Sequence, residues 1–188
     1  MIRTSAHLLF LLLLSNLAAL GSSPSILRAD DATSFELPAT DDGIPGAGPI
    51  RRYDWFKGLW KERRAAWATK VEQDQKAVVF LGDSITQGWG DDFQGLFPGM
   101  KAANRGISGD TTRGMLLRLQ QDVLSLNPSA VVMLMGTNDL EEQAEPQIIA
   151  DNVKLIVDEL KKHNPELPIV LCQVFPSSAT RKRPADKI

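Results

Sequence analysis

The 188-residue sequence holds a single cysteine, Cys172, and only two histidines, His7 and His163. A lone cysteine excludes an intramolecular disulfide, and its setting in an apolar, strand-like run marks it as a buried, unreactive thiol. No grouping of histidine, cysteine and acidic residues has the spacing of zinc ligands, so no metal site is expected. An excess of charge of one sign is also lacking. The net charge is −2, and the basic run "RKRPADK" (181–187) is too short to make a field, so nucleic acid is not an expected partner. No apolar run is long enough for a bilayer: "LLFLLLL" (8–14) is about half of the ~20 residues a span needs, and Ser15 and Asn16 interrupt it. With Arg3 before it and the small-x-small "ALG" (19–21) after it, that run reads as a signal peptide over 1–21. "LRA" (27–29) offers a second cleavage point, and either cut sends the mature chain to the periplasm or the exterior. Phosphate-binding signatures are absent: there is neither Gly-x-Gly-x-x-Gly nor Gly-Lys-Ser/Thr. "GDSIT" (82–86) also departs from the Gly-x-Ser-x-Gly elbow, because residue 86 is threonine. No internal repeat is visible.

What is present suits one α/β domain: 43% apolar and 23% charged residues over this length. Residues 22–50, ending in "DDGIPGAGPI", have no helical or strand period and read as a flexible linker, with the domain over 51–188. The stretch 53–73 is partly helical, and its Trp55, Leu59, Trp60, Trp67 and Val71 read as a face that covers a core. Strands are predicted at "AVVFL" (77–81), near "KAAN" (101–104), at "AVVMLM" (130–135) and at "PIVLCQVF" (168–175), with helices over about 111–126 and 146–163. Strands alternating with helices imply right-handed crossovers and a parallel sheet with helices on both faces. Asn127-Pro128 and Asn164-Pro165 close the helices at the bottom of that sheet. The loops after the strands therefore share its top edge, where open α/β sheets keep their chemistry.

Those loops carry Gly82-Asp83-Ser84, Gly106-Ile107-Ser108-Gly109-Asp110 and Gly136-Thr137-Asn138-Asp139. Ester hydrolysis needs a nucleophile, a base and donors fixed where charge develops on the carbonyl oxygen. Ser84 suits the first role. The backbone N–H groups of Ser84 and Gly106, with the Asn138 side-chain amide, suit the last. The competing reading of each loop is an ordinary turn followed by a helix cap, with Asp110 or Thr111 as cap in the second. Asp83, Asp110 and Asp139 read as ties between loops rather than as acids.

Taken in order, "FLGDSIT" (80–86), "NRGISGDTT" (104–112) and "MGTND" (135–139) resemble the blocks of the GDSL family, also called SGNH hydrolases. The run "NRGISGDTTRGMLLRL" (104–119) is particularly similar to the catalytic subunits of platelet-activating factor acetylhydrolase and their bacterial relatives. The resemblance covers about residues 77–175. It implies a flavodoxin-like three-layer α/β/α sandwich, no metal and no organic cofactor, with Ser84 as nucleophile and Gly106 and Asn138 as oxyanion donors. Such a protein would be an exported serine esterase or acylhydrolase acting on an acetylated carbohydrate or a short-chain lipid ester. In the family the base is a histidine of an Asp-x-x-His block near the C-terminus. Here His7 lies in the export signal, and His163 ends a helix at the bottom of the sheet, roughly 15–20 Å of strand from the reactive edge. The resemblance therefore implies a chain that stops before the family's last strand and helix. The alternative is a catalytically dead member that binds a carbohydrate or other ligand. Nothing in the sequence sets a homo-oligomeric state.

Overall fold

The computed structural model describes residues 35–174, all within one compact unit. The signal segment, the linker residues 22–34, the "RKRPADK" run and the end of the last predicted strand lie outside the described residues. Among the described residues four parallel strands form the sheet: β1 (Val78–Gly82), β2 (Ala102–Gly106), β3 (Ala130–Leu134) and β4 (Ile169–Leu171), in the order β2-β1-β3-β4. The register pairs Gly82 with Gly106 and with Leu134, which brings the ends of three strands level at the top edge. The chain is an α/β protein built on a parallel sheet, as its pattern predicts.

The crossovers from β2 to β3 and from β3 to β4 run the same way across the sheet, so right-handedness puts both of their helices on one face. These are α3 (Thr112–Asp122) and α5 (Pro146–His163). Met115, Leu116 and Leu119 of α3 and Ile156 and Leu160 of α5 close over Val79, Leu81, Val131 and Met133, the buried alternate residues of the two central strands. Helix α1 (Asp54–Ala68) joins this layer through Phe56, Trp60 and Trp67, which cluster with Ile107 against Leu117 of α3. Its aromatic stretch thus covers a core, as expected, except that Trp55 is 55% exposed. The connection from β1 to β2 runs the opposite way. Among the described residues the second face is covered by that connection, where Phe93 and Phe97 pack on Phe80 at ring separations of 4.5 and 5.4 Å.

Residues 35–50 carry no helix or strand, yet they are bonded to the domain throughout. Asn152 of α5 exchanges two hydrogen bonds with the main chain of Ala47, at 2.8 and 3.1 Å. Arg113 donates to the carbonyls of Pro45 and Gly48, Thr111 donates to that of Pro49, and Ile50 is buried. The stretch forms a strap, held largely by main-chain groups, which leave no period in the sequence, and by the Asp41 carboxylate, which accepts from Nη1 of Arg113.

Candidate active site

The site is assembled where β1, β2 and β3 end. Two short helices begin directly after strands: α2 (Ser84–Gln87) after β1, and α4 (Thr137–Glu141) after β3. Gly82 ends β1 because a Cβ there would lie 2.7 Å from the Leu134 carbonyl oxygen of the neighbouring strand. Asp83 is buried and caps α2, its Oδ1 accepting from the Ile85 N–H at 3.0 Å. Ser84 is thereby held as the first residue of α2, exposed to solvent at the top edge.

The second loop is folded against the first. The Ile107 N–H donates to the Gly82 carbonyl at 3.1 Å, and the Ser108 N–H to Oε1 of Gln87 at 2.6 Å. Gly106 packs flat on the α2 backbone, so that a Cβ there would lie 2.8 Å from the Thr86 carbonyl carbon and 2.9 Å from the Asp83 oxygen. Its N–H donates to Oδ1 of Asn104 at 2.8 Å, and so is already engaged inside the protein. The Asp110 N–H is taken as well, by the Ile107 carbonyl at 3.0 Å. Of the amides from 106 to 110, only that of Gly109 has no hydrogen-bond partner among the described residues. Gly109 has φ +86°, and a Cβ on it would come 2.6 Å from the Trp55 ring tip and 3.0 Å from Nη1 of Arg51. Thr111 caps α3, accepting from the Gly114 N–H at 3.2 Å.

Asn138, 3% exposed, is the second residue of α4. Its Nδ2 donates to the Asp110 carbonyl at 2.9 Å and lies 3.4 Å from Oδ2 of Asp83, while its Oδ1 accepts from Nη1 of Arg51 at 3.3 Å. Asn138 is thus brought to both the Ser84 loop and the Gly109 loop. Asp83 reaches Asn138, and Asp139 accepts from the Thr112 hydroxyl at 2.6 Å and the Thr112 N–H at 3.0 Å, so these two join separate loops, whereas the Asp110 carboxylate bonds within its own segment, accepting from the Thr111 N–H at 3.0 Å and from Nε of Arg118 at 2.8 Å. Burial pushes the Asp110 carboxyl up to about 7 despite Arg118, and that of Asp139 up to about 6 despite Thr112. His163, the only histidine among the described residues, is exposed at the bottom end of α5, away from Ser84.

A cavity of about 430 Å³ opens beside the Gly109 loop, lined by Arg51, Tyr53, Trp55, Glu141, Glu142 and Gln143. No group of three or more histidine, cysteine or acidic side chains that could hold a metal ion occurs among the described residues. The sequence pattern gives no site role to Gly109, Gln87, Arg51 or Trp55, although Gly109 lies in the second loop and Trp55 in the aromatic stretch. Gly109 stands in the same block as Gly106, so the choice between the two glycines rests on which amide the fold leaves unclaimed. Arg51 sits at the end of a Pro/Gly-rich stretch with nothing local to mark it.

The family model described as "GDSL-like Lipase/Acylhydrolase family" matches residues 80–187. Platelet-activating factor acetylhydrolase IB subunit alpha2 of Rattus norvegicus is 30% identical over 120 residues, covering 62% of this chain and 52% of that protein. The chain thus spans about half the length of the curated relatives it matches. Among solved structures, a GDSL-like lipase from Bacteroides thetaiotaomicron superposes with a TM-score of 0.55 at 29% identity, covering 66% of this chain and 64% of that one. A candidate acylhydrolase from Bacteroides fragilis gives a TM-score of 0.58 at 28% identity, with coverages of 72% and 66%.

Proposed function

Because the chain belongs to the GDSL-like lipase/acylhydrolase family, we propose that it is a serine ester hydrolase acting on small carboxylic esters, with Ser84 as the nucleophile. The observation that carries this reading is the bonding of the exposed Ser84 turn, through Asp83, to an asparagine amide that also anchors the loop holding the unclaimed Gly109 N–H. In the proposed reaction Ser84 Oγ adds to the acyl carbonyl and its proton passes to a base. The carbonyl oxygen, now an anion, takes hydrogen bonds from Asn138 Nδ2, the Gly109 N–H and the Ser84 N–H. Collapse breaks the bond to the alcohol, which leaves with the proton, and water then hydrolyses the acyl-serine to free acid. Gly106 serves in this scheme as the close-packing glycine under α2, because its own N–H is spent on Asn104. No histidine among residues 35–174 is placed to be that base, since His163 is at the far end of the sheet.

The ester substrate is an acetylated carbohydrate or a short-chain lipid ester, and the adjoining cavity has room for its acyl or alcohol part. The export signal read over 1–21 would place this reaction in the periplasm or outside the cell. The absence of a histidine beside Ser84 among the described residues favours, as second reading, a protein that binds such esters without cleaving them. Hydrolysis of p-nitrophenyl acetate by the full chain separates the two. Turnover that vanishes in Ser84→Ala while circular dichroism is unchanged supports the hydrolase. Turnover that persists in Ser84→Ala removes Ser84 as nucleophile, and no turnover in either protein leaves the binder.

A further inference from the structure

We infer that Arg51, at the end of the strap, is a positioning residue that sets the orientation and donor strength of the Asn138 amide. The inference rests on the proposed role of Asn138 as an oxyanion donor, but the contact itself does not. A guanidinium carries only donors, so the Asn138 atom that faces Arg51 must be oxygen. That turns Nδ2 away from the strap, toward Asp110 and the Asp83-Ser84 turn. The Asp110 carbonyl asks for the same orientation from the other side, so the amide is specified at both ends. One Nδ2 proton is spent on Asp110 at 2.9 Å. The other meets only the long 3.4 Å contact with Asp83, which a substrate oxygen can replace at small cost. The positive charge on the carbonyl side also draws electron density from the amide, making Nδ2–H a stronger donor than an unassisted asparagine offers.

Arg51 is built to hold that place. It is 9% exposed and carries two further ion pairs, from Nη2 to Glu141 at 2.6 Å and from Nε to Glu142 at 2.7 Å. Desolvation works against its charged form, but the two carboxylates outweigh it and its pKa is raised, so the guanidinium stays charged. Glu141 closes α4 and Glu142 follows it, so the fork grips the helix that carries Asn138 at both its second residue and its end. The neighbouring strap residues are fixed independently, Pro49 by Thr111 and Ala47 by Asn152, so Arg51 does not have to order the strap itself. The residue that follows the irregular strap is in this way made part of the catalytic apparatus.

The test uses the full chain and the variants Arg51→Met, which keeps the stem and removes every donor, and Arg51→Lys, which keeps the charge. The side-chain amide protons of Asn138, assigned by their loss in Asn138→Asp, are followed by NMR. In Arg51→Met they should move toward the values of a free asparagine and exchange with water about 10-fold faster or more, with Arg51→Lys between the two. If the chain turns over p-nitrophenyl acetate, kcat should fall about 10- to 100-fold in Arg51→Met with KM nearly unchanged, less than for deleting the donor outright. Unchanged amide signals in Arg51→Met overturn the inference, as does a KM effect without a kcat effect. Should Arg51→Met fail to fold, Arg51→Lys decides: native signals and full rate there would show that no fork was needed. Absence of turnover in every protein counts against the hydrolase reading and leaves the amide readout standing.

Discussion

Gly106 and Gly109 stand three residues apart in one loop and are glycine for different reasons. At Gly106 the obstacle is main chain: an added methyl would press on the carbonyl groups of Thr86 and Asp83, which α2 holds in place. At Gly109 the obstacle is conformational, a φ of +86°, together with the movable tip of Trp55. Gly106→Ala should therefore cost about 1–3 kcal/mol of stability in urea unfolding, the range for a side chain forced into packed structure. Gly109→Ala should cost about 1 kcal/mol of stability yet reduce hydrolysis far more than Gly106→Ala does at equal folded fraction. Equal losses of turnover per folded molecule would show that the Gly109 amide has no special part. Both glycines are visible in "NRGISGD", and the residue pattern there names the loop. Which amide is left for a ligand was not legible, because the Asn104 side chain that claims the Gly106 N–H is a tertiary fact.

The long elements follow from period and punctuation: helix predicted over 111–126 is found over Thr112–Asp122 with a further turn to Leu126, and helix over 146–163 is found as expected. β2 begins and ends later than predicted, running through Arg105 to Gly106, because its pairing with β1 carries the ladder to Gly82. The short helices α2 and α4 leave no sign in the sequence, since four or five residues hold too little of a 3.6-residue period to show. These two helices aim the candidate site, and buried carboxylates tie α4 to α3. Asp139 at the start of α4 accepts from Thr112 at the start of α3, in a setting that raises its pKa from 3.8 to about 6. Below about pH 4 folded and unfolded chains both hold that proton. Between there and pH 6 the unfolded chain releases it while the fold keeps it, so this group's contribution to stability falls as pH rises and levels off above 6. Asp110, raised to about 7, acts in the same direction over a wider window. Urea midpoints at pH 4.5 and pH 8 should therefore differ, relative to Asp139→Asn, in favour of the acid side. A difference of the opposite sign would mean that the Asp139 carboxylate is the form the fold prefers.

At the scale of the molecule, the parallel α/β sheet is legible because strands alternate with helices along the chain and a polar loop follows each of three strands; the order β2-β1-β3-β4 is a tertiary result. The strap is not, since most of its bonds join main-chain groups to Asn152 and Arg113 on distant helices and to Thr111, which caps one of them. The sheet's outer strand on the β3 side, among the described residues, is β4. It pairs with β3 from Val131 to Met133, and the ladder continues with the Cys172 N–H donating to the Met133 carbonyl at 2.8 Å. Among the described residues no strand lies beside its outer backbone groups, and Val170 and Leu171 are 53% and 55% exposed. An apolar edge of this kind, with no charge, proline or bulge within it, is a template for pairing with another chain. Natural sheets commonly blunt such an edge with lysine, so Leu171→Lys should suppress association at little cost. Little packing is lost at a position that is more than half exposed, and the change in stability should stay within about 0.5 kcal/mol. Light scattering over a concentration series should show the native chain associating and Leu171→Lys remaining monomeric, with equal urea midpoints. If both proteins are monomeric at all concentrations, the β4 edge is protected and the argument from exposure fails. If Leu171→Lys unfolds instead, the side chain supports the core rather than the edge.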